Sequence, residues 1–145
     1  MGEFNVNKSD GSLERTAGMP SEYPATQVML SDGVTSVEEA LTYSTTEHKV
    51  GKWIDGSDLY EKTIDFGTLP NNTTKAVSSG LSNVTVREIK GYAKSSTNTL
   101  MLPYVGSNTI NFYYVFSDNS VTAAATGNLT AYTECYVTLR YTKNS

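Results

Sequence analysis

The chain has 145 residues, a formal net charge of −4 and 38% hydrophobic residues, which favours one compact domain with a single core. Its 11 lysines and arginines are scattered without forming a basic stripe, so we expect no nucleic-acid binding through phosphates. No apolar run approaches the roughly 20 residues that span a bilayer, and the polar, acidic opening Met1-Gly2-Glu3-Phe4 is unlike a secretory signal.

Tyrosine is the prevailing aromatic residue, and cysteine occurs once. The 10 tyrosines outnumber the 4 phenylalanines and the single tryptophan. A ring with a polar end suits half-buried strands and wet contact surfaces, and frequent Thr, Val and Tyr favour strands over helices. Because Cys135 is the only cysteine, no intrachain disulfide is possible, and the fold must be stabilised by packing or by assembly.

The N-terminal part of the chain contains one short predicted helix. Residues 1–26 show little apolar periodicity, and we expect them to be flexible or to gain order from a partner. Thr35 and Glu38 then have the spacing of a capping box, which predicts a helix over residues 36–43. So short a helix is not stable alone in water, so its apolar side should pack on its own domain or on another chain. That side consists of Val37, Ala40 and Leu41.

From Glu47 onward the hydrophobic period changes to two, and polar turns separate six predicted strands. The strands are residues 59–66, 84–93, 100–104, 109–116, 121–125 and 131–142. This spacing is typical of an antiparallel sandwich or barrel. Aromatic residues fall on both faces of the fourth strand, which predicts a central strand covered on both sides, with a subunit contact as one natural cover. The predicted fold class is all-β, an antiparallel, jelly-roll-like β-sandwich over residues 47–145, after an N-terminal arm and short helix in residues 1–46.

The alternation also assigns faces to individual strands. In the last strand, Cys135 and Val137 are predicted to face one way and Tyr136 and Thr138 the other. In residues 59–66, Glu61 and its neighbours at period two are predicted to form a solvated face. The alternation slips near Glu88, which predicts a bulge.

Three segments resemble the fibre domains of bacteriophages. The core Val50-Gly51-Lys52-Trp53-Ile54-Asp55-Gly56, followed by Tyr60 and Lys62, resembles a recurrent opening of such domains. Residues 28–40 are similar to a segment of phage fibre and head-fibre proteins, and residues 135–143 are similar to the last strand of the same domains. The resemblance implies a virion surface appendage made in the bacterial cytoplasm: a homotrimer with a β-sandwich tip that contacts a host receptor, often a glycan. The N-terminal segment would then contact other virion proteins.

The expected function is therefore multivalent attachment of a phage fibre tip to its host. Val37, Ala40 and Leu41 would register the three chains at the neck. Two alternatives stay open: a structural decoration of the virion, such as a head fibre or collar, and a carbohydrate-binding module of a cellular protein.

Candidate receptor-binding residues are taken from turns, because loops carry recognition more often than strands do. Most tyrosines, Tyr92 and Tyr136 among them, are interpreted as core or sheet-face packing. The candidates lie in or beside turns, and they are Tyr104, Asn108, Asp118, Asn119 and Tyr132.

No catalytic residue, metal site or cofactor is predicted. His48 is the only histidine and has no Cys close by in sequence, so we expect it to be exposed or lightly packed. The acids of residues 55–65 fit no EF-hand spacing, and no Gly-x-Ser-x-Gly elbow occurs. Trp53 is interpreted as packing at the start of a strand while Asp55-Gly56 makes a turn, with stacking of Trp53 on a sugar as the alternative.

Overall fold

The computed structural model describes residues 36–145, Met29, Val34 and the backbone of two short strands near the N-terminus. The chain divides into two compact units, residues 1–39 and residues 40–145. In the first unit, strand β1 (Phe4–Asn5) pairs antiparallel with strand β2 (Glu14–Arg15). Apart from these two strands, the predictions about the order of residues 1–26 and about Thr35 as a helix cap fall on residues outside the described part of the chain. No helix in the described part of the chain is long and apolar enough to cross a membrane.

Helix α1 (Val37–Leu41) lies within the predicted range but is shorter than it. The Ser36 hydroxyl accepts a hydrogen bond from the backbone N–H of Glu39 at 3.1 Å, which caps the helix. Of the three residues predicted for the trimer neck, Ala40 is buried, Val37 is half-buried and Leu41 is 76% exposed. Their role in a trimer stays a prediction.

Two antiparallel sheets make up the second unit and confirm the predicted all-β sandwich. In spatial order, the larger sheet contains β3 (His48–Lys52), β4 (Asp58–Asp65), β10 (Glu134–Lys143), β6 (Val84–Lys94) and β7 (Thr99–Leu102). The smaller sheet contains β5 (Thr74–Ser78), β9 (Ser120–Ala125) and β8 (Ile110–Val115).

The core lies between the two sheets and is built from alternate residues. Val137 and Leu139 of β10 are at most 1% exposed, which confirms the face predicted for them. The ring of Phe66, just after β4, meets the ring of Phe112 on β8 edge to face at 5.3 Å and so joins the sheets. Cys135 is fully buried in this core, and burial raises the pKa of its thiol to about 12.

The C-terminal part of β10 is tied to the residue that precedes β3. Tyr141 is fully buried, and its hydroxyl donates a hydrogen bond to Oε2 of Glu47 at 2.5 Å; Lys143 donates to the other carboxylate oxygen. Burial raises the pKa of Glu47, but the hydrogen bonds from Lys143 and Tyr141 outweigh it and hold this pKa below its ordinary value. Burial, together with this hydrogen bond, raises the pKa of Tyr141.

The predicted central position of residues 109–116 is wrong. Strand β8, which they contain, lies at an edge of the smaller sheet, and β9 is the central strand. The short side chains of β9, with Ala123 and Val121 fully buried, let it lie between two neighbours and under the larger sheet. Strands β3 and β5 were not predicted.

Two local predictions are confirmed. The register between β10 and β6 shifts where Glu88 opposes Arg140 and Val86 opposes the next residue, which leaves Arg87 as the extra residue of a bulge. Before β4, the N–H of Gly56 donates to the carbonyl of Trp53 at 2.9 Å, and Gly56 has a φ of 88°. The positive φ requires glycine at this turn.

Candidate binding groove

A groove of about 570 Å³ lies on the outer face of the larger sheet, the face turned away from the core. We call it the outer-face groove. The side chains that define its chemistry are those of Tyr43, Thr63, Lys90, Tyr92, Tyr136 and Thr138.

The strand register brings these residues together from distant parts of the sequence. Thr138 of β10 lies opposite Thr63 of β4 and opposite Lys90 of β6. Two residues away along β10, Tyr136 lies opposite Tyr92 of β6. Side chains at period two share a face, so both rows point into the groove.

The floor of the groove is a pair of hydroxyls. Oγ1 of Thr63 lies 2.9 Å from Oγ1 of Thr138, and both residues are buried. One hydroxyl donates to the other, so one O–H and several lone pairs stay available, and neither oxygen has another hydrogen bond to a described residue. The floor therefore offers both a donor and acceptors to a ligand.

Tyrosine rings form the two walls. The rings of Tyr92 and Tyr136 lie 6.0 Å apart between centroids on one side. On the other side Tyr43 is 63% exposed, and the Lys90 ammonium lies 5.4 Å from its ring centroid. The carbonyl of Ser44 accepts a hydrogen bond from the N–H of Thr63 at 2.8 Å, which holds the Tyr43 wall against β4.

Gly91 allows the close approach of β6 and β10 beneath this site. A Cβ atom at Gly91 would come 2.4 Å from the carbonyl oxygen of Tyr136. Such a contact is too short for any side chain, so the groove requires glycine here.

Next to the groove, a buried carboxylate overturns two predictions. Glu61 is 3% exposed rather than solvated, and Oε2 accepts a hydrogen bond from Nε of Arg140 at 2.7 Å. His48 is 8% exposed rather than exposed or lightly packed, and its Nε2 lies 3.9 Å from Oε1 of Glu61. The reason is the register: His48 and Arg140 flank Glu61 on the adjacent strands and cover it. The hydrogen bond that Arg140 donates to Glu61 raises the pKa of Arg140.

Three of the predicted receptor residues lie at one end of the sandwich. The backbone of Tyr104 pairs with Ile110 at the start of β8. Asn108 packs so closely on Gly127 that a Cβ atom there would come 2.3 Å from its Oδ1. Tyr132 donates its N–H to the carbonyl of Leu129 at 3.0 Å.

The other two predicted receptor residues lie at the opposite end, in the β8–β9 turn. Oδ1 of Asp118 accepts hydrogen bonds from the N–H and the hydroxyl of Ser120 at 3.2 and 2.7 Å. The carbonyl of Asn119 accepts from the hydroxyl of Ser79 at 2.7 Å. The five candidates therefore do not converge on one site, and none of them lines the outer-face groove.

Sequence reasoning missed the groove because its lining residues come from four strands (β4, β6, β7 and β10) and the segment before β3. The alternation correctly predicted that Tyr136 and Thr138 share the face opposite Cys135 and Val137, but periodicity does not say which residues of β4 and β6 lie opposite them. The sequence did contain one signal for this site: Tyr136 and Thr138, an aromatic residue and a hydroxyl on the same face of a long strand.

Comparisons with known proteins assign nothing further: no family model, no curated protein and no solved structure matches the chain. The resemblance of residues 28–40, 50–62 and 135–143 to phage fibre domains thus stays a prediction from those residues.

Proposed function

We propose that this protein is a non-enzymatic attachment module that binds a saccharide in its outer-face groove. The observation that supports this most is the hydroxyl pair of Thr63 and Thr138, buried between walls of tyrosine rings. A sugar ring presents C–H groups on its faces, which pack on aromatic rings, and hydroxyls at its edges, which exchange hydrogen bonds. The groove offers both kinds of partner at one place.

The size of the groove suits a small ligand or a short stretch of a polymer. Its volume of about 570 Å³ falls within the roughly 300–1,000 Å³ of small-molecule sites. Such sites are mostly apolar with a few placed polar groups, which matches a groove in which Lys90 is the only charged residue among the described lining residues.

The biological setting we propose is the tip of a phage fibre that attaches the virion to a host glycan. The Val50–Gly56 core and its resemblance to fibre domains support this setting. In a homotrimer, three weak sites on one particle gain avidity through effective concentration. Light scattering at micromolar concentration separates this proposal from a second one, a carbohydrate-binding module of a cellular protein: the fibre tip requires a trimer, and the cellular module a monomer.

A glycan array followed by titration calorimetry tests the binding itself. We expect Tyr43→Ala to weaken binding of the selected saccharide about tenfold, because it removes one wall. Thr138→Val should weaken it similarly by removing a floor hydroxyl at nearly constant volume. Tyr113→Ala is the matched control, since Tyr113 is 45% exposed on β8 and lies outside the groove. Absence of any saccharide binding, or equal losses for Tyr43→Ala and Tyr113→Ala, would contradict the proposal.

A further inference from the structure

The charges around the outer-face groove indicate which class of saccharide it takes. Lys90 is the one charged side chain among the groove's described lining residues. Its ammonium lies 3.7 Å from Oε1 of Glu88 and 5.4 Å from the ring centroid of Tyr43. Its charge is therefore already offset by a carboxylate and shared with an aromatic face.

A second carboxylate lies at the other end of the groove. Oε1 of Glu134 accepts a hydrogen bond from the Tyr92 hydroxyl at 2.8 Å, and this bond raises the pKa of Tyr92. The phenol therefore stays protonated at neutral pH and keeps donating this hydrogen bond to Glu134. Lys94 lies opposite Glu134 in the register but makes no ion pair with any described residue.

Another cation on the outer face, Arg140, is already engaged. Nε of Arg140 donates to the buried carboxylate of Glu61 at 2.7 Å, in the row next to Thr138. Around the groove the described cations Lys90, Lys94 and Arg140 are therefore matched in number by the carboxylates of Glu61, Glu88 and Glu134, in a chain whose net charge is −4. The one cation among the described lining residues, Lys90, is already paired with Glu88, so a ligand carboxylate in the groove would gain little there and would lose hydration on binding.

We propose that the groove selects uncharged saccharides over acidic ones. This inference rests on the proposed function, and it names the ligand class of the same site. Glu88 is the residue that enforces the selection. It pairs with the Lys90 ammonium, which a uronate or a similar acidic sugar would otherwise contact. An uncharged sugar needs only the tyrosine walls, the hydroxyl floor and a donor from Lys90 to one of its hydroxyls.

The test compares a neutral hexose oligosaccharide with a hexuronate oligosaccharide of equal length by titration calorimetry. We expect the unmodified protein to bind the neutral ligand at least about tenfold more tightly than the acidic one. Raising the salt concentration should leave the neutral affinity unchanged, since no net charge is brought together.

Two variants isolate the role of Glu88. Glu88→Gln should improve the acidic affinity about fourfold, the effect of one charge about 5 Å away in water, and leave the neutral affinity unchanged. Asp55→Asn removes the same net charge in the exposed turn before β4, outside the groove, and should change neither affinity.

The outcomes separate the two proposals. Tighter binding of the acidic ligand by the unmodified protein, or equal effects of Glu88→Gln and Asp55→Asn, overturns the selectivity while the proposed function stands. Binding of neither ligand class, with no saccharide selected on the array, overturns both.

Discussion

Replacing Arg140 should cost more stability than replacing Glu61, although the two residues form one ion pair. The Arg140 side chain is 36% exposed, whereas the Glu61 side chain is only 4% exposed. Removing the arginine leaves the Glu61 carboxylate buried without its hydrogen-bond donor. The Nε2 atom of His48, at 3.9 Å, is then the nearest nitrogen that could pair with it. Removing the glutamate leaves a guanidinium that can regain water.

The exposure of the pair sets the size of the effect. Breaking a buried ion pair by removing one partner costs about 3–5 kcal/mol, and the partial exposure of Arg140 places Arg140→Met near the lower end, at about 3 kcal/mol. Glu61→Met should cost about 1 kcal/mol, the net value of a hydrogen bond. The double variant should also lose only about 1 kcal/mol, because an apolar pair replaces the charged one.

Urea unfolding at neutral pH, followed by the fluorescence of Trp53, measures these free energies. Lys52→Met is the control, because the ion pair of Lys52 with Asp58 is exposed, and its urea midpoint should not change measurably. Equal losses for Arg140→Met and Glu61→Met would refute the reasoning. So would a double variant whose loss equals the sum of the two single losses.

Three further predictions follow from a close backbone contact, a hydrogen-bonded carboxylate and a buried thiol. Gly91→Ala should destabilise the fold by more than about 2 kcal/mol, because its Cβ meets a backbone carbonyl; an unchanged urea midpoint would contradict this. Glu47 has a folded-state pKa below its ordinary value of 4.5, so its contribution is complete above that value and is lost as the pH falls through the folded-state pKa. Unfolding free energies measured between about pH 6 and pH 3 should therefore fall less steeply for Tyr141→Phe than for the unmodified protein, and an identical slope would count against the Glu47 hydrogen bond. The Cys135 thiol, fully buried and with a pKa raised to about 12, should resist a thiol reagent in the native protein and react fully in denaturant; rapid native modification would show that the core opens.

Periodicity predicted most strands and their faces but not the order of the strands in the sheets. In β10 the alternation of Val137 and Leu139 with polar residues is regular because this long strand has core on one side and the groove on the other. Aromatic residues suggested that β8 is central, yet a strand at a sheet edge also buries one face and keeps bulky residues on the other. The short side chains of β9 favour a central position, because a strand with small side chains packs most closely under the facing sheet.

Strand β5 was not recognised in the sequence because one charged residue, Lys75, interrupts its alternating pattern. Lys75 points toward the core side, where its ammonium donates to the carbonyls of Phe66 and Thr68, both at 2.8 Å, and lies 4.9 Å from the Phe66 ring centroid. A lysine at an inward position breaks the apolar pattern, although its charge is satisfied by carbonyls at the rim. Sequence alone shows the lysine and not these partners.

The candidate site was the least predictable part of the molecule. Glu61, Thr63 and Thr138 are ordinary outward residues by pattern, and only the pairing of β4 with β10 makes them a covered carboxylate and a hydroxyl floor. The sequence-based prediction of receptor-binding residues chose loops, because loops carry recognition more often than strands do. Here the concave surface lies on the face of a sheet.

Chemical shifts of the isotopically labelled protein, recorded while an uncharged oligosaccharide is titrated, test the location of the binding site most directly. The largest chemical-shift changes should occur at residues that define the outer-face groove, namely Thr63, Lys90, Tyr92, Tyr136 and Thr138. Shifts confined to the loops at either end of the sandwich, in residues 103–109, 126–133 or 116–119, would show instead that the groove is not where this protein binds.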